Sequence, residues 1–154
     1  MKYHFCSSGA FLFIFIILLT ICLSIEARTY NPSGKIVGKM PPVSEHTKAT
    51  LTINSFEKGG DGGGPSKCDG KYHSNNTPIV ALSTRWYNNG KRCSHYITIY
   101  GNGRSVKAKV VDECDSTKGC NDDIVDASKA VWKALGVKES GSDWGEMKIF
   151  WSDA

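Results

Sequence analysis

A chain of 154 residues with a net charge of +4 has room for one domain and an accessory segment. Its 19 lysines and arginines are scattered, no run exceeding two, which excludes the basic stripe of a nucleic-acid binder. The modest positive balance favours acidic partners, either a pectin-like polysaccharide or an acidic protein surface.

Lys2 supplies a positive start, Phe11 to Leu23 (FLFIFIILLTICL) form an apolar run, and Ser24 to Ala27 give a small-residue exit. This is the pattern of a secretory signal peptide over residues 1–27, cut near Ala27. The run falls short of the ~20 residues that a spanning helix needs, so no membrane association is expected after cleavage. Removing the leader removes Cys6 and Cys22 and leaves Cys68, Cys93, Cys114 and Cys120. Four cysteines in a small secreted chain read as two disulfides, with three connectivities open. Zinc is excluded because no C-x-x-C pair occurs and Cys114 to Cys120 is too wide a spacing. No metal or cofactor is expected.

Residues 28–48 (RTYNPSGKIVGKMPPVSEHTK) hold three prolines and few apolar side chains, and read as an extended arm. From Ala49 the pattern changes. ATLTINSF alternates Ala49, Leu51 and Ile53 against polar residues, the period of a half-buried strand. GGDGGGP, residues 59–65, follows. It lacks the G-x-x-x-x-G-K-[ST] order of a phosphate loop, and the nearest helix the sequence suggests begins only about sixty residues later, so nucleotide binding is excluded. TPIVALS (77–83) reads as a buried strand. HYITIYG (95–101) alternates about Ile97 and Ile99. SVKAKVVDEC (105–114) turns Val106, Ala108 and Val110 inward, and EMKIFWS does the same with Met147, Ile149 and Trp151. Asn88-Asn89-Gly90 and Gly101-Asn102-Gly103 supply the positive backbone angles of tight connections, the second closing a hairpin. The spacing predicts one helix from Asp126 to Gly136, with Ala127, Ala130, Val131, Ala134 and Leu135 on its apolar face. Asp126 is placed as its N-cap and Gly136 as its C′ residue. The outline is a mainly β barrel of five or six strands with one packed helix.

GGDGGGPSKCDGKYHSNNTPIVALSTRWYNNGKRC, then VVDECDSTKGC and NDDIVDASKAVWKALG, resemble the kiwellin or ripening-related proteins of plants. The likeness covers residues 44–154 and the NPSGKIVGK segment of the arm. It implies a six-stranded double-psi β-barrel over residues 49–154, related to barwin and expansin domains, with one short packed α-helix and disulfide stabilisation. Family members usually carry a cysteine-rich module between arm and barrel and a longer loop after the GC motif. Here GKMPP runs into VSEHTK and Cys120 into Asn121-Asp122-Asp123, as in a trimmed, barrel-only form. The resemblance implies Cys93–Cys114 and Cys68–Cys120 as the disulfides, and places GGDGGGP as a structural loop beside the barrel's open groove.

In glycan-cleaving relatives of such barrels, the aspartate matching Asp126 is a general acid, and glycoside hydrolysis needs a second carboxylate across the scissile bond. Asp112 is the candidate partner, with Asp115 close to it in sequence. Against this, an N-cap wants Asp for backbone reasons alone, and a strand-end Asp112 serves to order neighbouring loops. The histidine usual beside the acid in wall-loosening relatives is missing, since Ile124 and Val125 precede Asp126. No catalytic residue is therefore assigned, Asp112 and Asp126 being the candidates of the alternative reading, and the chain is expected to be a non-enzyme. His46, His73 and His95 share no metal-ligand spacing.

Function is placed instead on an aromatic and basic surface, with Tyr72, His73, Tyr87, Arg104, Trp132 and Trp144 as candidate binding residues. Trp86 is assigned to the core and Trp132 to the edge of the helix's apolar stripe. Asn75-Asn76-Thr77 is a glycosylation sequon, weakened by Pro78; Asn31-Pro32-Ser33 is excluded by its proline. The resemblance implies a monomeric apoplast or cell-wall defence protein that binds, and in some relatives inhibits, secreted pathogen enzymes, notably chorismate mutases. The second class is a cell-wall polysaccharide binder or weak glycan-modifying protein.

Overall fold

A computed structural model describes residues 43–154; the signal peptide expected over residues 1–27, and most of the arm, lie outside the described residues. Among the described residues there are six strands: β1 (Thr47–Ile53), β2 (Ile79–Ser83), β3 (Tyr96–Gly101), β4 (Arg104–Cys114), β5 (Ile124–Ala127) and β6 (Glu146–Asp153). They close in the order β1-β5-β2-β4-β3-β6. The β1/β5 and β2/β4 pairs are parallel and the other four antiparallel. Two parallel pairs interlocked in one closed sheet give the double-psi barrel.

The alternation read from the sequence fills its interior. Leu51, Ile97, Ile99, Ala108, Val110 and Trp151 are all 0% exposed, and Ala49 and Ile149 are nearly so. Burial of this apolar surface is the main drive to closure. Asn102 and Gly103, both with positive φ, form the two-residue turn that joins β3 to β4.

The expected helix from Asp126 to Gly136 is corrected at its start. Ile124–Ala127 form β5, and the helix α2 spans only Lys129–Ala134; a second short helix, α1, spans Thr84–Tyr87. The reason is tertiary. Val125 stands between Leu51 of β1 and Leu82 of β2, and sheet pairing on both sides overrides the helical period of DASKAVWKALG. Asp126 is therefore a strand residue and caps nothing; Ser128 takes the N-cap position. Ser128 Oγ is spent elsewhere, donating to the Thr77 carbonyl at 2.7 Å. The helix buries Val131, Trp132 and Leu135, whereas Ala134 is exposed. Trp132 is thus fully core, and not at the edge of the apolar stripe as expected.

The disulfides are Cys68–Cys93 and Cys114–Cys120, not Cys93–Cys114 and Cys68–Cys120. Cys68 N–H donates to the Val111 carbonyl at 3.1 Å and Ser94 N–H to the Val110 carbonyl at 2.9 Å. Two loops are pinned to successive carbonyls of β4, which brings Cys68 and Cys93 to a Cα separation of 5.4 Å. Cys114 ends β4, and a 3-10 turn (Ser116–Lys118) folds the chain back so that Cys120 lies 5.7 Å away, Cα to Cα.

The sequon residue Asn75 is occupied with structure. Its Oδ1 accepts the Phe56 N–H at 2.9 Å and its Nδ2 donates to Ser55 Oγ at 2.8 Å. These bonds tie the segment leaving β1 to the approach of β2.

Candidate functional site

The site is built by a bulge. Val80 pairs with Val110 of β4, but Ala81 pairs with Asp112, so Val111 is an extra residue. Regular alternation through Val106, Ala108 and Val110 would drive Asp112 into the core. The bulge turns it to the outer side, and Val111 packs there with Phe56, Ile79 and Ala81. Ala81 also pairs with Asp126 on its other flank. The two aspartates therefore stand on either side of Ala81, whose small side chain leaves a floor between them. Two interstrand spacings, about 10 Å, separate their backbones.

This floor belongs to a groove whose walls include Asn54, Asp61, Gly62, Gly64, Pro65, Lys67, Glu113, Cys114, Asp115, Lys118 and Cys120. Five carboxylates and two lysines line it, and no aromatic ring among the described residues does. An acidic groove thus sits on a basic chain.

Each carboxylate is fixed differently. Asp112 Oδ1 accepts two backbone N–H groups, from Lys67 at 2.8 Å and Glu113 at 2.8 Å. Burial nevertheless pushes its carboxyl above the usual range, the two amides and Lys67 opposing. Asp126 Oδ1 accepts Thr52 Oγ1 at 2.6 Å, and the Thr52 carbonyl accepts Trp132 Nε1 at 3.3 Å, so the buried indole helps place the carboxyl. Burial raises the Asp126 carboxyl; the Thr52 bond opposes this and the charges of Asp61 and Asp112 add to it. Glu113, its side chain 7% exposed, pairs with Lys67 and accepts Thr84 Oγ1 at 2.6 Å. The hydrogen bond to Glu113 raises the Lys67 ammonium.

Asp126→Asn keeps an acceptor for Thr52 and removes the charge. A carboxyl raised in the folded state stabilises it fully below the unfolded value of 3.8, and loses that contribution as pH rises through the folded value. The melting temperature of the variant, relative to the parent, is therefore expected to climb between about pH 3 and about pH 7. Melts across that range check this; a flat difference would contradict the burial of the charge.

GGDGGGP forms one wall of the groove through Asp61, Gly62, Gly64 and Pro65. Asp61 Oδ1 accepts the Ser55 N–H at 2.9 Å and so folds the loop onto the end of β1. A Cβ at Gly62 would lie 2.2 Å from the Ser55 carbonyl oxygen, whereas one at Gly64 meets nothing within 4 Å. Gly62→Ala is expected to cost about 1–3 kcal/mol by forced backbone displacement, and Gly64→Ala less than about 0.5 kcal/mol. Denaturant melts of the pair check the close approach.

The six candidate binding residues are not brought together, and none lines the groove. Tyr72 is exposed, and His73 lies 3.2 Å from Asp69 Oδ1. Arg104 stands at the β3–β4 turn against Gly136. Trp144 is half-buried on Trp132 at a ring separation of 5.5 Å. Tyr87 and Trp132 are corrected to interior positions: Tyr87 is 7% exposed, beneath Lys67 and against Cys93, and Trp132 is fully buried. Apolar rings of α1 and α2 close the barrel, which outweighs their value as contact surface. Sequence reading named Asp112 and Asp126 but missed Asp61, Lys67 and Glu113; the carboxylate inside a glycine run was the available signal for Asp61. Among the described residues no cluster of three potential metal ligands occurs, and no helix is long and apolar enough to cross a membrane.

The likenesses to known proteins agree with this geometry. The family described as Kiwellin-1 matches residues 26–154. Kiwellin of Actinidia chinensis var. chinensis is 54% identical over 125 residues, 74% of this chain and 57% of that protein. The chain therefore spans less than three fifths of that relative's length. Among solved structures, a Clavibacter michiganensis expansin in complex with cellohexaose superposes with a TM-score of 0.55 at 19% identity, over 71% of this chain and 50% of the expansin. The Streptomyces papain inhibitor gives 0.54 at 19% identity, over 72% of this chain and 96% of the inhibitor. At such identities these two structures speak for the barrel alone. With the matched family running from before the first strand to Ala154, and a curated kiwellin identical at more than half of the aligned positions, the chain belongs to the kiwellin family.

Proposed function

We propose that this chain is a secreted, monomeric plant defence protein of the apoplast that binds, without catalysis, a protein secreted by a pathogen and inhibits it, with chorismate mutase as the target class. The observation that carries this reading is the composition of the groove: five carboxylates, two lysines and no ring among the described residues. A sugar chain presents C–H faces that stack on aromatic side chains, and the groove offers none. A basic loop of a protein partner finds complementary charge there, which steers association and fixes register. Its rim is pre-organised by both disulfides and by the Asp61 and Asp112 bonds, so little ordering opposes binding. The papain inhibitor, almost wholly one such barrel, is a precedent for this fold blocking an enzyme. Against catalysis, one Asp112 oxygen is committed to two amides and no histidine lines the groove. The two disulfides among the described residues suit an oxidising, extracellular setting.

The second reading is glycan binding in the same groove, favoured by the paired aspartates about Ala81 and by the cellohexaose held by the expansin. Calorimetric titration of a purified, secreted pathogen chorismate mutase separates the two. Saturable binding, weakened about tenfold or more by Asp61→Asn with Asp126→Asn, is expected, since loss of complementary charge acts on both encounter and complex. No binding of the enzyme, with saturable binding of cellohexaose, would transfer the groove to the second reading.

A further inference from the structure

The outer face of β4, β3 and β6 carries a feature that the groove does not explain. Single exposed apolar residues are ordinary, and only their clustering is informative. Four large hydrophobic side chains are exposed among the described residues, and three of them, Tyr96, Tyr100 and Phe150, lie on this one face. Tyr100 pairs directly with Phe150 across β3 and β6. His46 completes the cluster, its ring 5.8 Å from that of Tyr100 and 6.2 Å from that of Phe150.

Cations alternate with the rings. Lys109 pairs with Tyr96, Lys107 with Thr98, and Lys48 of β1 with Phe150. A shallow depression along Tyr100 and Phe150 has Arg104, Lys148 and Ser105 on its walls and no carboxylate. Among the described residues none of these five cations is in an ion pair, and Asp153, at the end of β6, is held by Arg92. Tyr96 and Tyr100 are four residues apart on one strand, about 14 Å, the length of several sugar units.

We propose that this face binds an acidic polysaccharide, a polyuronate, with the rings of Tyr96, Tyr100 and Phe150 against sugar faces and the lysines and Arg104 on successive carboxylates. Charge complementarity selects an anionic partner. The face repeats ring, hydroxyl (Thr98, Ser105) and ammonium along the sheet, which is the chemistry of a polyuronate chain. Protein interfaces are depleted in lysine, and this face is lysine-rich. The surface shares no residue with the acidic groove, so one molecule has the means to hold a wall polymer and a protein at once.

Affinity electrophoresis and calorimetry of the mature, oxidised chain with galacturonate oligomers test this, with cellohexaose, poly-glutamate and duplex DNA as comparators. Saturable binding of the oligogalacturonate is expected, falling with added salt. Tyr100→Ala and Phe150→Ala are each expected to weaken it several-fold, up to about tenfold, by loss of stacking, at unchanged melting temperature. Lys107→Gln with Lys109→Gln should also weaken it, while Tyr72→Ala and the Asp61→Asn, Asp126→Asn pair leave it intact. That last result keeps the outcome independent of the groove. No binding, equal binding of poly-glutamate with no effect of the ring substitutions, or preference for DNA would each overturn the proposal.

Discussion

Replacing Cys68 and Cys93 together by alanine is expected to lower the unfolding free energy by about 3.5 kcal/mol on a chain-entropy account, against about 2.2 kcal/mol for Cys114 with Cys120. The ranking follows from the sequence separations, 25 and 6 residues, because the longer closed loop removes more freedom from the unfolded chain. The folded state points the same way. The Cys68–Cys93 bridge locks two irregular loops to one spot of β4, each otherwise held by a backbone bond to Val110 or Val111. The Cys114–Cys120 bridge closes one local turn that Asp115 already caps through the Thr117 N–H at 2.9 Å. Guanidinium unfolding of the two double variants checks the order, and non-reduced peptide mapping checks the connectivity. A larger loss from the Cys114, Cys120 variant would contradict the ranking.

Asp112→Ala is the second large effect. It strips the shared acceptor from Lys67 N–H and Glu113 N–H, each bonded at 2.8 Å. Hydrogen bonds to a charged group contribute about 1.5–3 kcal/mol each, and the lower end applies here because the Lys67 bond is exposed and the Glu113 bond half-buried. A loss of about 3 kcal/mol is expected, together with loosening of the Pro65–Lys67 wall of the groove. Asp112→Asn retains an oxygen at the same place and is expected to lose less than about 1 kcal/mol. Denaturant unfolding of both variants separates a structural carboxylate from a merely charged one; equal losses would remove the two-amide anchor as the explanation.

Where alternation was regular, the residues spoke for themselves: Ala49 and Leu51, Ile97 and Ile99, and Ile149 and Trp151 all face the interior as their period-two spacing requires. Asn102-Gly103 likewise announced its turn. Three features were hidden, each for a physical reason. β5 is four residues long and owes its conformation to neighbours far away in sequence, so DASKAVWKALG was read as helix from Asp126. The bulge at Val111 is a mismatch between two strands, and one strand's sequence carries no trace of it. The disulfides depend on where two loops land on β4. The candidate site divided along the same line. Asp112 and Asp126 were found by residue type, but their shared floor at Ala81 and the wall supplied by Asp61 exist only after the strands pair. Tyr87 and Trp132 were misplaced because a large ring suits a binding face and a barrel plug equally well.

The first strand borders only β5 and β6, with Thr50 opposite Ile124 and Lys148. In the growing chain it has no sheet partner until more than seventy residues beyond it have emerged. Closure of such non-local pairings is slow, on the scale of milliseconds to seconds, because the chain entropy of large loops is lost before contacts reward it. The short Cys114–Cys120 link has no such wait, since its partners are near neighbours. The local bridge is expected to form first and to withdraw two thiols from competition, leaving Cys68 and Cys93 to pair as the barrel shuts; quenched, alkylated refolding intermediates mapped by mass check this order.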